Sequence, residues 1–173
     1  MITDSTMGRL IPLLAGLILC PAASQAQWQS VGVSGGNGQA APLAVVGNPA
    51  GDRFEVRRED NDTITGHLVL REGFETFHPD HCPTLVVDMS PAVALAERNG
   101  PCLIDGPRAG FIFGAIAGNR IASTHLVRLM DGQQVVFRFH VDGKGYRETR
   151  FPLRNSKNAL TELLGTEVAV EIR

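Results

Sequence analysis

The chain has 173 residues, of which 43% are hydrophobic and 20% are charged, and its formal net charge is −2 at pH 7. A balance this close to neutral excludes a general role in binding nucleic acid or an anionic membrane surface, although it allows a local charged patch. The length suits one domain, and a chain of this size buries about 70% of its unfolded surface, which is enough for a hydrophobic core.

The first 26 residues have the pattern of a signal peptide. An apolar run over residues 10–19 is too short to span a membrane, and small residues precede Gln27 at the positions that signal peptidase reads. We therefore predict cleavage between Ala26 and Gln27, which leaves about 147 residues in the periplasm or outside the cell. Translation can begin at Met1 or at Met7. No later stretch is apolar enough to cross a membrane.

The first part of the mature chain is predicted to be a strand followed by a flexible segment. Residues 28–33 favour the strand, and the run SGGNGQAA after it has the composition of a loop. This run lacks the Lys-Ser/Thr ending of a phosphate-binding loop, so a linker is the better interpretation. Residues 53–58 and 64–71 flank the polar run EDNDT, and this arrangement predicts a β-hairpin.

The middle of the chain predicts short strands around one helix. Residues 84–88, TLVVD, have the pattern of a short buried strand, and residues 90–98 form a predicted helix that begins with a serine cap. Another short extended run covers residues 102–105. Residues 110–118, GFIFGAIAG, predict a central strand covered on both faces, and the internal Gly114 predicts a bulge.

The C-terminal part contains the clearest strand signal. Residues 135–141 alternate between apolar and polar side chains, and the turn DGKG then leads into a return strand over residues 146–153. Pro152 cannot donate a ladder hydrogen bond, so the return strand ends there or lies at a sheet edge. A last strand is predicted over residues 167–172.

Two short helices are predicted on either side of this hairpin. Ser123 is a suitable cap for a helix over residues 124–131, with Gly132 as a left-handed stop. Ser156 is a suitable cap for residues 157–164, with a glycine directly after them.

Cysteine usage agrees with export. Removal of the leader leaves two cysteines, Cys82 and Cys102, and an even count in an oxidising compartment predicts one disulfide. The bond would close a loop of some 20 residues and stabilise the fold by on the order of 3 kcal/mol. A metal-binding or reactive thiol is the alternative, but no zinc-site spacing is found nearby.

The turn before Cys82 is the densest cluster of metal-ligand side chains. His78 and His81 are three residues apart, and imidazoles at this spacing can bind a transition metal. Two prolines make the segment a turn, and metal sites need three or four converging ligands. A polar turn that anchors the disulfide is therefore the favoured interpretation, and a metal site is the alternative. The further ligands would have to come from His67, His125 or His140.

Positive charge is concentrated on the C-terminal hairpin. A patch of this kind can bind lipid phosphates or polyanionic sugars. An ordinary solvated face is favoured instead, because the two strands need not present all these residues on one side. The candidate anion-binding residues are Arg138, Lys144, Arg147 and Arg150.

The run from His125 to Leu160 resembles a known family. The segment LVRLM before Gly132, the strand VVFRF, the turn DGKGY, and FPL followed by NAL are similar in layout to the invasion-associated locus B family. The resemblance implies an exported bacterial protein of β-sandwich type with a disulfide and no established enzymatic activity. In that family the second cysteine usually follows closely after the first, whereas here they are 20 residues apart. The family motif is structural, so it transfers no functional residues.

Together these patterns predict a single, mainly β domain with two or three short helices, built as a β-sandwich or a strongly curved antiparallel sheet. The predicted organisation is a signal peptide over 1–26, a strand and flexible segment over 27–52, and a globular domain over 53–173.

No nucleophile elbow, HExxH motif or paired-carboxylate motif is found, and no cofactor motif is found either. The sequence favours a non-enzymatic exported protein that binds a protein or an envelope component. The alternatives are a metal-binding protein that uses His78 and His81, and a carrier of a small apolar or anionic ligand.

Overall fold

The computed structural model of the chain describes residues 26–34, 40–71, 73, 75–94 and 102–172. Within these residues the strands pair into three sheets. The predicted signal peptide up to residue 25 and the centre of the glycine-rich run lie outside these residues. The strands are β1 (Gln29–Ser34), β2 (Ala40–Gly47), β3 (Arg53–Arg58), β4 (Thr63–Val69), β5 (Thr84–Val87), β6 (Val93–Ala94), β7 (Leu103–Asp105), β8 (Arg108–Ala115), β9 (Arg120–Ala122), β10 (Gln134–Val141), β11 (Gly145–Pro152) and β12 (Ala169–Glu171). The helices are α1 (Thr124–Asp131) and α2 (Ser156–Leu164).

The strands form one large and one smaller antiparallel sheet. The six-stranded sheet has the order β1-β2-β3-β4-β8-β7, and the four-stranded sheet has the order β11-β10-β5-β6. The short strands β9 and β12 pair in parallel. The prediction of a single, mainly β domain with short helices is confirmed. No described helix combines the length and the apolar character that are needed to cross a bilayer.

Aromatic rings fill the space between the two sheets. Phe54 on β3 lies edge-on to Phe137 on β10, with 4.8 Å between the ring centroids, and 6.1 Å from Phe151 on β11. Trp28 belongs to the same cluster, with its ring centroid 5.3 Å from that of Phe54. Each such pair contributes about 0.5–1.5 kcal/mol beyond the apolar area that it buries. These contacts join the inner faces of the two sheets.

The C-terminal hairpin has the predicted form. The alternate side chains of β10 that were expected to face inward, from Val135 to Val141, are buried, and the turn uses positive φ angles at Gly143 and Gly145. β11 lies at an edge of its sheet, as Pro152 predicted.

Both helices are found, but one end of each differs from prediction. Ser123 caps α1 by accepting a hydrogen bond from the backbone N–H of Leu126. The left-handed stop at Gly132 is wrong, because its φ is −80°. Glycine fits there for a packing reason: a Cβ atom would overlap Val87 Cγ1 and lie 2.8 Å from the carbonyl oxygen of Arg128.

The second helix begins at Ser156, and its cap position is Asn155, in the left-handed conformation with a φ of 67°. The prediction of Ser156 as the cap is therefore wrong. Its buried hydroxyl instead donates to the carbonyl oxygen of Leu129 at 2.7 Å, which ties α2 to α1. The glycine after α2, Gly165, has a positive φ of 101°.

Two further predictions are corrected by long-range pairing. Residues 40–47, expected to be loop, form β2 inside the six-stranded sheet, with Ala44 and Val46 fully or almost fully buried. The described part of the predicted helix 90–98 contains strand β6, which pairs with β5, and residues 95–98 lie outside the described residues.

The apolar strand β8 is covered on one face only, because Ile112 is 38% exposed on the other. The prediction of a strand covered on both faces is wrong. The predicted bulge at Gly114 is confirmed, since the pairing of β4 with β8 shifts its register there.

Candidate functional site

The candidate binding site lies on the outer face of the six-stranded sheet, the face turned away from Phe54. In the sheet register Glu55 is opposite His67, His67 is opposite Gly110, and Gly110 is opposite Leu103. Because side chains alternate between the two faces of a strand, these four residues form one row across β3, β4, β8 and β7.

The carboxylate of Glu55 is the centre of a charged cluster on this face. Its side chain is only 7% exposed, and one oxygen, Oε2, accepts from Arg57 at 2.8 Å and from Arg108 at 3.0 Å. Arg53 approaches the other oxygen at 3.8 Å. A buried carboxylate is stable only when it is paired in this way, so removal of these partners would leave a costly uncompensated charge.

His67 extends the cluster through hydrogen bonds. Nδ1 accepts from Arg108 Nε at 3.2 Å, so the ring proton is on Nε2, which donates to the Thr65 hydroxyl at 3.2 Å. That hydroxyl in turn donates to Glu59 at 2.7 Å. Burial, followed by the positive charges of Arg108 and Arg57, lowers the pKa of His67 from 6.5 to about 4. The ring is therefore neutral at pH 7 and acts as an acceptor that fixes Arg108.

We expect His67 to make the folded protein less stable as the pH falls from 6.5 to 4. The folded-state pKa lies below the unfolded value of 6.5, so the unfolded chain binds the proton first and gains stability within this window. Above pH 6.5 both states are neutral, and the effect vanishes. Because the ring is partly exposed, we discount the effect for solvent screening to about 1–2 kcal/mol.

Urea unfolding at pH 7, 5.5 and 4 measures this effect. The variant His67→Gln keeps a polar side chain without a titrating group, so its stability should fall less than that of the wild-type protein between pH 6.5 and 4. Equal losses in the two proteins would contradict the assignment to His67.

A cavity of about 250 Å³ lies beside this cluster. Its floor is open because Gly110 has no side chain, and a Cβ atom there would be 3.1 Å from His67 Nδ1. Two exposed apolar side chains border it: Leu103 is 75% exposed and Ile112 is 38% exposed. The lining residues are Thr65, His67, Leu103, Asp105, Arg108, Gly110, Phe111 and Ile112.

The predicted metal ligands His78 and His81 lie elsewhere, in the turn before β5. Their Nδ1 atoms are 3.0 Å apart, and the ring of His140 on β10 lies with its centroid 4.8 Å from that of His81. Within the described residues no group of three or more His, Cys, Asp or Glu side chains is arranged around a single ion position.

The predicted disulfide between Cys82 and Cys102 is present, with 5.9 Å between the Cα atoms. Cys82 precedes β5 of the four-stranded sheet, and Cys102 precedes β7 of the six-stranded sheet. The bond therefore links the two sheets at one end of the sandwich.

The candidate anion-binding residues of the hairpin are divided between its two sides. Arg147 points inward and forms an ion pair with fully buried Asp52 at 2.8 Å and a second with Glu75. Lys144, in the turn, lies 3.5 Å from Glu75. These contacts hold the hairpin to the rest of the fold.

Arg138 and Arg150 point outward and share the carboxylate of Glu148, at 2.8 Å and 3.2 Å. The hydrogen bond from Arg150 is the main cause that lowers the pKa of Glu148. The structure therefore does not bring the four predicted residues together on one surface.

Sequence reasoning missed the site around Glu55. The alternation of Arg53, Glu55 and Arg57 along one strand face was visible, but it resembles an ordinary solvated strand. Only the pairing of β4 with β8 brings Arg108, 53 residues away from Glu55, to the same carboxylate.

Comparison with known proteins supports the fold. No family model and no curated protein matches the chain. Among solved structures, the chain is similar to the crystal structure of invasion associated protein B from Bartonella henselae, with a TM-score of 0.53 and 15% sequence identity. The similarity covers 82% of this chain and 94% of that one. At this identity the similarity shows a shared fold, which extends over most of both chains.

Proposed function

We propose that the protein is an exported, non-enzymatic binding protein that holds a small ligand in the outer-face cavity beside Arg108. The ligand is an apolar molecule that ends in a carboxylate. The observation that carries this proposal is an open cavity with apolar walls, next to a guanidinium group that Glu55 and His67 hold in place.

The predicted signal peptide and the disulfide support export, since disulfides persist in oxidising compartments. The fold shared with invasion associated protein B and the resemblance over residues 125–160 support a distant place in the invasion-associated locus B family. The partner that supplies or receives the ligand is then a protein or another component of the cell envelope.

The number of arginine N–H donors without an acceptor among the described residues favours a carboxylate as the polar group of the ligand. A guanidinium carries five N–H donors, and Arg108 uses one on His67 and one on Glu55. Asp105 and Glu59 also lie at this face, but Arg108 keeps three N–H donors beyond the two that His67 and Glu55 accept. An acceptor on the ligand would complete the set.

The size of the cavity limits the apolar part. A volume of 250 Å³ equals the liquid volume of about eight water molecules. Drug-sized ligands occupy pockets of about 300–1,000 Å³, so the ligand is smaller than these. A chain of about eight carbons is a suitable probe, because its tail can lie along the exposed side chains of Leu103 and Ile112.

The test is calorimetric titration of the mature, disulfide-bonded protein with octanoate and, separately, with octan-1-ol. We expect octanoate to bind at least tenfold more tightly than the alcohol. Arg108→Gln should remove most of this preference, and Gly110→Val should weaken both probes because it fills the cavity. Arg150→Gln, on the outer side of the other sheet, is the matched control and should change neither affinity.

Two outcomes would overturn the proposal. In the first, the wild-type protein binds neither probe. In the second, octanoate and octan-1-ol bind equally and Arg108→Gln has no effect. Circular dichroism of each variant shows that the fold is retained. Native mass spectrometry of protein purified from its own host would reveal a co-purifying ligand.

A further inference from the structure

We propose that His78 and His81 form a chelate for a divalent transition metal, separate from the outer-face cavity. The two rings lie edge to face, with 4.6 Å between their centroids and 3.0 Å between their Nδ1 atoms. Two imidazole nitrogens on one tetrahedral metal, each about 2.0–2.1 Å from it, are about 3.3 Å apart. The observed separation is within a few tenths of an ångström of this value.

The hydrogen bonds of the turn show where the lone pairs point. The backbone N–H of Asp80 donates to His78 Nδ1 at 3.3 Å, so this nitrogen carries a lone pair. The short contact with His81 Nδ1 then requires a proton on the His81 nitrogen. A metal ion between the two rings would take the place of this proton and of the Asp80 hydrogen bond, and the neutral His81 ring would then carry its proton on Nε2.

The backbone holds the pair in place before any metal binds. Phe77 forms an antiparallel bridge with Val141, and its ring packs edge-on to Phe139 at 5.0 Å. The backbone N–H of His78 donates to the carbonyl oxygen of His140 at 2.9 Å. Cys82, in its disulfide, fixes the other end of the turn. A chelate on such a segment loses little conformational freedom when it binds metal.

The structure provides two protein ligands at this point, and water would complete the coordination. His140 is the third candidate, because its exposed ring stands beside that of His81 and can rotate towards the same ion. Neutral imidazole is a good ligand for copper and zinc, and at equal ligands copper(II) binds more tightly than zinc(II). Copper(II) is therefore the more sensitive probe.

The test uses the mature, disulfide-bonded protein titrated with Cu²⁺ at pH 7.4, followed by calorimetry and electron paramagnetic resonance. We expect one site with nitrogen hyperfine coupling and at least tenfold weaker binding of Zn²⁺. His81→Ala should weaken Cu²⁺ binding by at least tenfold, and His78→Ala should do the same. His67→Gln, a histidine of the outer face, is the matched control and should leave the affinity unchanged.

The variant His140→Ala decides the number of ligands. A loss of affinity of about the same size as that of His81→Ala identifies three histidine ligands, and an unchanged affinity identifies the two-histidine chelate. Cu²⁺ binding that persists in the double variant His78→Ala/His81→Ala would place the metal elsewhere, for example at the free N-terminal amine, and would overturn the proposal. The absence of measurable Cu²⁺ binding in the wild-type protein would overturn it as well.

Discussion

Replacement of Trp28 with alanine is expected to lower the free energy of unfolding of the mature protein by about 3–5 kcal/mol. The side chain is fully buried, packs edge-on to Phe54, and donates from Nε1 to the carbonyl oxygen of Pro152 at 3.1 Å. Its backbone is also held, because its N–H donates to the carbonyl oxygen of Arg154 and its carbonyl accepts from Asn155 Nδ2. The N-terminal end of β1 is thereby fixed to the chain after β11.

Thermal unfolding followed by circular dichroism measures this effect. For a domain of this size, a loss of 3–5 kcal/mol lowers Tm by roughly 6–20 °C. The variant Trp28→Phe keeps an aromatic ring next to Phe54 but loses the hydrogen bond, so it should lose much less stability than Trp28→Ala. If Trp28→Ala unfolds at the wild-type temperature, the N-terminal segment does not contribute to the core as described.

Replacement of both Cys82 and Cys102 with alanine is expected to lower the free energy of unfolding by about 2–5 kcal/mol. The bond joins the beginning of β5 in one sheet to the beginning of β7 in the other, and in the unfolded chain it limits how far these two segments can separate. It also fixes the turn that carries His78 and His81.

Two measurements check the disulfide. Denaturant unfolding compares the double alanine variant with the wild-type protein in the presence and absence of a reducing agent, and the reduced wild-type protein should resemble the variant. Thiol labelling of the unfolded but unreduced protein without residues 1–26 should find no free cysteine. Two labelled thiols would show that the pair is not bonded.

The elements that the sequence predicts well are those whose signals are local. The hairpin β10–β11 follows from alternation and from a glycine-rich turn, and α1 follows from the cap at Ser123. These features depend on residues a few positions apart, so short-range sterics and hydrogen bonds determine them. The predictions that are wrong, such as the loop over residues 40–47 and the helical state of residues 90–94, concern segments whose strand state depends on a distant partner.

The candidate site shows the same division. Arg53, Glu55 and Arg57 are placed on one strand face by alternation alone. Their convergence with Arg108 depends on the register of β8 against β4, which no local pattern encodes.

The sequence by itself determined the pairing of the two cysteines that follow the predicted signal peptide and the alternating faces of the strongest strands. Composition, cysteine count and periodicity of two specify these properties without reference to distant contacts. The tertiary structure alone decided that Glu55 is buried among arginines, that Gly110 leaves a cavity open, and that His140 lies beside His81. These features join residues far apart in the chain, and such contacts form only where the packing of two hydrophobic sheet faces fixes the register of every strand.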